Sequence, residues 1–181
     1  LLEYKCYNLN MHNFKDLSFP KKIFWFFVSL TMILAGLLVI QNNKEQITSE
    51  TTTLKLFYYN PDLDQGVGGV QCTEKGLVSV LREIPKTVTP LTESIKLLLK
   101  GEISAEEKSD GITSEFPLSG FELQSATLVD GVATLTFADP QSKTVGGSCR
   151  TAILWQQIKA TAMQFDTVKE VRFLPEELFQ P

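Results

Sequence analysis

The hydrophobic and polar positions divide the chain into three regimes. Residues 23 to 40 read Ile-Phe-Trp-Phe-Phe-Val-Ser-Leu-Thr-Met-Ile-Leu-Ala-Gly-Leu-Leu-Val-Ile, 18 positions without a charge. At about 1.5 Å per helical residue the run spans about 27 Å, close to the hydrocarbon thickness of a bilayer, and predicts one transmembrane helix. Residues 41 to 53 are polar with one large apolar residue, Ile47, and predict a flexible linker with nothing to drive it into a core. From Leu54 the pattern alternates between strand and helix periods.

Leu54 to Tyr59 is aromatic-rich and ends at Asn60-Pro61-Asp62, a strand running into a turn. Leu77 to Ile84 predicts a second strand, stopped by Pro85. Thr89-Pro90 sets an N-cap and a first-turn proline. Leu91, Ile95, Leu98 and Leu99 then share one face of a helix that ends at Gly101. Residues 102 to 120 predict a charged connection. Phe121 to Val129 and Val132 to Phe137 flank Asp130-Gly131, a turn dipeptide suited to a tight hairpin because its central residues need positive φ. After a loop from Asp139 to Gly147, Ser148 caps a second helix carrying Trp155, Ile158, Ala162 and Phe165, and Val168 to Leu174 supplies a last strand. The order β-β-α-β-β-α-β predicts an α+β domain over residues 54 to 181, with two helices on one face of a small, mainly antiparallel sheet.

Charge orients this arrangement. Ahead of the apolar run stand Lys5, Lys15, Lys21 and Lys22 against Glu3 and Asp16, whereas the chain from Lys44 onward carries 13 basic and 19 acidic residues. Positive residues stay on the cytoplasmic side. Residues 1 to 22 are therefore expected to form a cytoplasmic tail, residues 23 to 40 a signal-anchor in the cell membrane, and residues 54 to 181 an extracytoplasmic domain. The exit Leu38-Val39-Ile40-Gln41-Asn42-Asn43 lacks the small residues of a cleavage site, and Leu37 stands where a lipidated Cys would follow Leu34-Ala35-Gly36. The competing reading, a buried helix of a soluble core, fits poorly with continuous apolarity and flanking lysines. A net charge of -4 with scattered Lys and Arg excludes nucleic acid as the main partner, since phosphate binding needs a concentrated basic surface.

Candidate chemistry is sparse. Cys72 and Cys149 are the two thiols expected outside the membrane, each in a Gly-containing loop, and an oxidising compartment favours a disulfide between them. Two buried free thiols are the alternative. Cys149 at a helix start could also serve as a nucleophile, but such a site needs a general base, and the only histidine, His12, is expected across the membrane with Cys6. A Ser-His-Asp triad and a His-ligated zinc fail for the same reason. Asn60-Pro61-Asp62-Leu63-Asp64-Gln65-Gly66 places oxygens at alternate positions, yet the Gly and Glu of an EF-hand are replaced by Gln65 and Gln71, so a solvated turn is the better reading. Glu83, Glu115 and Asp139 are surface charges by default, with paired acids for glycoside hydrolysis as the sharper alternative. No metal or other cofactor is expected.

Several segments, taken in order, resemble the GerMN (sporulation and spore germination) domain family. They are the strand Leu56-Phe57-Tyr58-Tyr59, the strand Val80-Leu81-Arg82-Glu83-Ile84-Pro85, the helix end Leu97-Leu98-Leu99-Lys100-Gly101, the hairpin Asp130-Gly131-Val132-Ala133-Thr134-Leu135 and the loop Gly146-Gly147-Ser148-Cys149-Arg150. Gln157-Ile158, Thr161, Phe165, Val168 and Val171 continue the match, which covers residues 54 to about 174. Glu102 departs from the Pro that many members carry, and Phe173-Leu174-Pro175-Glu176 from their Asp-Gly ending. The resemblance implies a fold similar to the ring-building motif, no catalytic residues, and protein-protein contact at the envelope. The expected partners are envelope proteins, including self-association, and the lipid bilayer through residues 23 to 40. The expected function is a non-catalytic, membrane-anchored assembly or binding module. The alternative is an extracytoplasmic enzyme or ligand binder acting on cell-wall material through carboxylates.

Overall fold

A computed structural model describes residues 20–42 and 50–179. The chain forms two compact units, residues 1–48 and residues 49–181. In the first, helix α1 (Lys21–Asn42) takes in the whole uncharged run, and Trp25, Phe26, Phe27 and Met32 are exposed on it. Among the described residues no helix is long and apolar enough to cross a membrane, so the transmembrane helix expected over residues 23–40 is not supported by the structure.

The second unit opens with β1 (Thr51–Tyr59), three residues ahead of the expected start. A 3-10 turn over Pro61–Asp64 leads into a two-residue ribbon, β2 (Gln65–Gly66) and β3 (Gly69–Val70). The chain then returns as β4 (Leu77–Pro85), antiparallel to β1 from Thr51↔Pro85 to Tyr59↔Leu77. That register explains the early start: β4 runs on to Pro85 and recruits Thr51, Thr52 and Thr53, β-branched residues that suit a strand, out of the expected linker. Gln41 and Asn42, also assigned to the linker, close α1. Leu54, Leu56 and Tyr58 alternate into the core opposite Arg82, Val80 and Val78.

Helix α2 (Pro90–Lys100) starts and stops as its sequence dictates. Pro90 occupies the first turn, and Gly101 at φ 65° closes the helix in the left-handed conformation. A Cβ at Gly101 would lie 1.8 Å from the Phe116 carbonyl oxygen, so glycine is required twice over. Thr89 stands at the N-cap without making a side-chain cap bond. Helix α3 (Ala105–Ser109) sits inside the segment expected to be an irregular connection. Ser104 and Glu107 form a reciprocal capping box there.

Strands β5 (Glu122–Val129) and β6 (Val132–Ala138) form the expected hairpin, with Asp130 at φ 49° and Gly131 at φ 83°. Helix α4 (Ser148–Met163) is capped by Gly147 rather than Ser148, and β7 (Glu170–Leu174) pairs parallel to β6. A parallel neighbour needs a crossover, and α4 provides it. The expectation of one mainly antiparallel sheet is therefore corrected. The strands form an antiparallel pair β1-β4, the ribbon β2-β3, and a mixed sheet β5-β6-β7.

The two helices are shared between the β1-β4 pair and the mixed sheet. Helix α2 packs on β1 and β5, α4 packs on β1 and β7, and the helices pack on each other. Side chains take the place of a third strand on β1. The Gln164 amide accepts from the Lys55 N–H and donates to the Lys55 carbonyl, both at 2.8 Å, and the Thr161 hydroxyl accepts from the Phe57 N–H at 3.0 Å. Tyr59 exchanges backbone bonds with Thr113. Leu56, Ile95, Leu98, Leu135, Leu154 and Ile158 fill the core between these layers, each burial contributing roughly 1.5–3 kcal/mol. Phe116, Phe121, Phe137 and Phe173 stack in sequence beside them at 4.9 to 6.3 Å between centroids, with Phe179 edge-on to Phe121 and Phe173.

Candidate functional site

Two loops meet at one place on the domain, residues 60–76 between β1 and β4 and residues 139–147 ahead of α4. Cys72 in the first loop and Cys149 in the first turn of α4, directly after the second, join them in a disulfide, Cα atoms 5.3 Å apart across a separation of 77 residues. Cys72 takes φ 58°, and its carbonyl accepts from the Gln156 amide at 3.2 Å. The bond removes the nucleophilic reading of Cys149, since a sulfur in a disulfide is no thiolate. His12 and Cys6 lie outside the described residues.

The first loop is organised around a buried carboxylate. Asp64 accepts from the Tyr59 hydroxyl, the Thr73 N–H and the Thr73 hydroxyl, each at 2.6 Å. Burial pushes its pKa up, but the bonds from Thr73 and Tyr59, with Lys75 nearby, outweigh that and hold it below the usual carboxylate value. The same contact acts in reverse on the phenol: burial first, and the bond to Asp64 second, push Tyr59 up to about 12. The calcium-like spacing of Asn60 to Gly66 thus serves another end. Asn60 caps the Asp62 N–H and donates to the Asp110 carbonyl, while Asp64 faces inward. Among the described residues no group of three His, Cys, Asp or Glu side chains is placed to hold a metal ion.

The second loop repeats the device. Asp139 accepts from the Lys143 N–H at 2.7 Å and from the Thr144 N–H and hydroxyl at 2.8 Å. Here too burial raises the pKa, and the donors of Thr144 and Lys143 bring it below the ordinary value. Arg150 completes the frame: its Nε donates to Glu115 at 2.5 Å and its Nη1 to the carbonyls of Lys143 and Val145 at 2.9 Å. Of the three carboxylates singled out in the sequence, Asp139 caps its own loop, Glu115 pairs with Arg150, and Glu83 is exposed on β4. Each has a structural or surface setting of its own.

Among the exposed polar side chains of the stapled end, such as Asp62, Gln65, Lys75 and Lys143, stand several large apolar ones. Leu63, Val67 and Val70 are exposed on the first loop and Val145 on the second, Val67 fully so at the ribbon tip. Gly68 and Gly69, at φ 97° and 109°, turn the ribbon sharply behind Val67.

A second polar cluster escaped the sequence reading. Arg82 Nη1 and Nη2 grip the Glu107 carboxylate in a fork, at 2.7 and 2.8 Å, and Nη2 also donates to the Glu102 carbonyl. The Arg82 bond lowers the pKa of Glu107, and Arg82 is raised in turn. The Tyr58 hydroxyl is buried nearby with no partner among the described residues, and burial pushes it up to about 12. The spacing Ser104-Ala105-Glu106-Glu107 was the available signal, a capping box that marks a helix start.

The family comparison agrees with this geometry. Residues 55–177 match the family described as "Germane: Sporulation and spore germination", a stretch that takes in both stapled loops and every strand from β2 to β7. No curated protein matches the chain. Among solved structures, the chain is similar to the tandem GerMN domains of the sporulation protein GerM from Bacillus subtilis, at 21% identity and TM-score 0.49 over 73% of this chain and 42% of that one. It is also similar to the first GerMN domain of the same protein, at 16% identity and TM-score 0.49 over 70% of this chain and 86% of that one. The chain thus spans less than half the length of the tandem structure. With more than half of its length matched to the family, the chain belongs to the sporulation and spore germination (Germane, GerMN) family.

Proposed function

We propose that the chain is a non-catalytic envelope protein in which a GerMN domain serves protein-protein assembly outside the membrane, held there by residues 23–40. One observation carries the reading: the carboxylates Asp64 and Asp139 are spent on holding the two stapled loops, and these loops present the apolar side chains Leu63, Val67, Val70 and Val145 to solvent among exposed polar ones such as Lys75 and Lys143. Catalysis requires a reactive group kept free and positioned, whereas a docking end requires a rigid frame with apolar side chains exposed. The anchoring rests on the uncharged run with Lys21 and Lys22 at its edge, on the exposed apolar side chains of α1, and on the acidic excess that follows.

The wall-acting enzyme is the reading to beat. The full chain, incubated with purified wall polymer, is expected to release no soluble fragments. Hydrolysis abolished by any one of Glu83→Gln, Glu115→Gln or Asp139→Asn would overturn the non-catalytic assignment. For the anchor, carbonate extraction of membranes expressing the full chain is expected to leave it in the pellet; release into the supernatant would remove the membrane from the proposal.

A further inference from the structure

Outside the two-residue ribbon β2-β3, the outer strand edges of this domain are not alike. On β1, the N–H groups of Lys55, Phe57 and Tyr59 are taken by Gln164, Thr161 and Thr113, so its outer edge is closed. Strand β5 carries an irregularity between Leu123 and Ser125 that breaks its edge, and β7 is five residues long with Glu170 and Arg172 alternating along it. Strand β4 is nine residues long and pairs on one side only. Because β1 turns Lys55, Phe57 and Tyr59 outward, its ladder to β4 runs through Leu54, Leu56 and Tyr58. Their partners are Arg82, Val80 and Val78, which leaves the backbone of Ser79, Leu81 and Glu83 facing away. The side chains of these three residues are exposed, and Leu81, at the midpoint of β4, is 61% exposed.

We propose that β4 pairs antiparallel with β4 of a second copy of this chain about a two-fold axis at Leu81, joining the two strand pairs into a four-stranded sheet β1-β4-β4-β1. The strand complements itself in that register. Leu81 faces Leu81, Ser79 faces Glu83, Val78 faces Ile84 and Val80 faces Arg82, so no like charges are opposed and a hydroxyl meets each exposed carboxylate. The outward backbone groups of Ser79, Leu81 and Glu83 then form about six hydrogen bonds across the axis. The Leu81 carbonyl already accepts from Arg82 Nη1 at 2.9 Å, so the guanidinium, gripped by Glu107 and the Glu102 carbonyl, covers part of this edge at the axis. The carbonyl's second lone pair is left for the partner N–H, and each Arg82 meets its counterpart with its charge offset by its own Glu107. Growth stops at two copies, because the far edge of each β1 is covered by Gln164, Thr161 and Thr113. Without that cover, edge pairing would propagate into an open fibre. The proposal deepens the assembly reading by naming one partner and one strand, and its failure would leave assembly with other envelope proteins standing.

A two-fold axis at Leu81 brings the two Leu81 Cα atoms to about 5.5 Å, within disulfide reach, while Ser79 and its own counterpart lie about 13 Å apart along the strand. The test is oxidation of the full chain, with Cys6 replaced by Ser, carrying Leu81→Cys, Ser79→Cys, Glu83→Cys or Val88→Cys. Val88, 98% exposed ahead of α2, reads collision and any association through other parts of the chain. The expected result is a disulfide dimer from Leu81→Cys at least tenfold faster than from Val88→Cys, Ser79→Cys or Glu83→Cys alone, and a mixed dimer when Ser79→Cys and Glu83→Cys chains are combined. Leu81→Cys chains that couple no faster than Val88→Cys overturn the proposal, and so does preferential coupling through Ser79→Cys, which would mean another register. Leu81→Lys without an introduced cysteine guards against a misfolded variant: it is expected to keep the parent's far-UV spectrum and cooperative unfolding, and to sediment at half the parent's mass. A parent that is monomeric at tens of micromolar also overturns the pairing.

Discussion

Removing the staple between the two loops is the sharpest perturbation of the fold. Cys72→Ser/Cys149→Ser deletes a cross-link between residues 77 apart. Chain-entropy reasoning gives about 2.1 + 1.5R ln n cal/mol/K for the freedom returned to the unfolded chain, or about 4.5 kcal/mol at 25 °C for a loop of this length. The folded state loses less locally. Asp64 still organises the first loop, Asp139 and Arg150 the second, and the Gln156 amide still holds the Cys72 carbonyl. The loss therefore falls on the unfolded ensemble, and the native far-UV and near-UV spectra are expected to be unchanged. For a domain of this size about 4 kcal/mol corresponds to a fall of roughly 12–20 °C in Tm. Urea unfolding of the parent and of the double variant, with and without reductant, measures it, and the denaturant slope is expected to rise because the unlinked chain exposes more surface. A loss below about 1 kcal/mol with an unchanged slope would refute the reasoning, as would two freely labelled thiols in the unreduced, unfolded parent.

Three other outcomes follow from the polar framework. Asp64 and Asp139 are both held below their unfolded pKa, so each stabilises the fold above about pH 4 and loses that contribution as pH falls through its lower folded value. Tm measured from pH 6 to pH 2 is expected to drop in this window, and Asp64→Asn should lower Tm at pH 7 and flatten the drop. The Arg82–Glu107 fork, with both side chains less than a third exposed, should show a coupling of about 1–2 kcal/mol in a double-mutant cycle with Ala, reduced at high salt; a coupling of zero would make it ornamental. Gln164→Ala uncovers Lys55 on the β1 edge and should cost about 1–2 kcal/mol, with the Lys55 amide exchanging at least tenfold faster in hydrogen-exchange mass spectrometry.

Much of the domain was legible because local rules and tertiary packing agreed. Asp130-Gly131 forms its hairpin since both residues tolerate positive φ, and Pro90 and Gly101 bracket α2 because one fits a first turn and the other a left-handed cap. The Cys pair was legible from compartment and count. Sheet partnership was not, because it depends on which edge is filled by what. Gln164 and Thr161 read as ordinary helix-end polars, and nothing local says that they replace a strand against β1. The parallel pairing of β6 and β7 is equally non-local. Asp64 misled for a related reason: its segment reads as a solvated turn, and only the fold reveals that Asp64 is buried with Tyr59 and Thr73 supplying its donors. The capping box at Ser104 was readable and was passed over inside a segment rich in charge.

The central claim is that this domain works by protein-protein contact outside the membrane. Lysine-directed crosslinking of the full chain in its native membrane, followed by mass spectrometry, tests it most directly. The account predicts links from the domain's exposed lysines, among them Lys75, Lys143 and Lys169, to a second copy of the chain or to extracytoplasmic segments of other envelope proteins. Links confined to the chain's own domain, or made to cytoplasmic proteins, would contradict it.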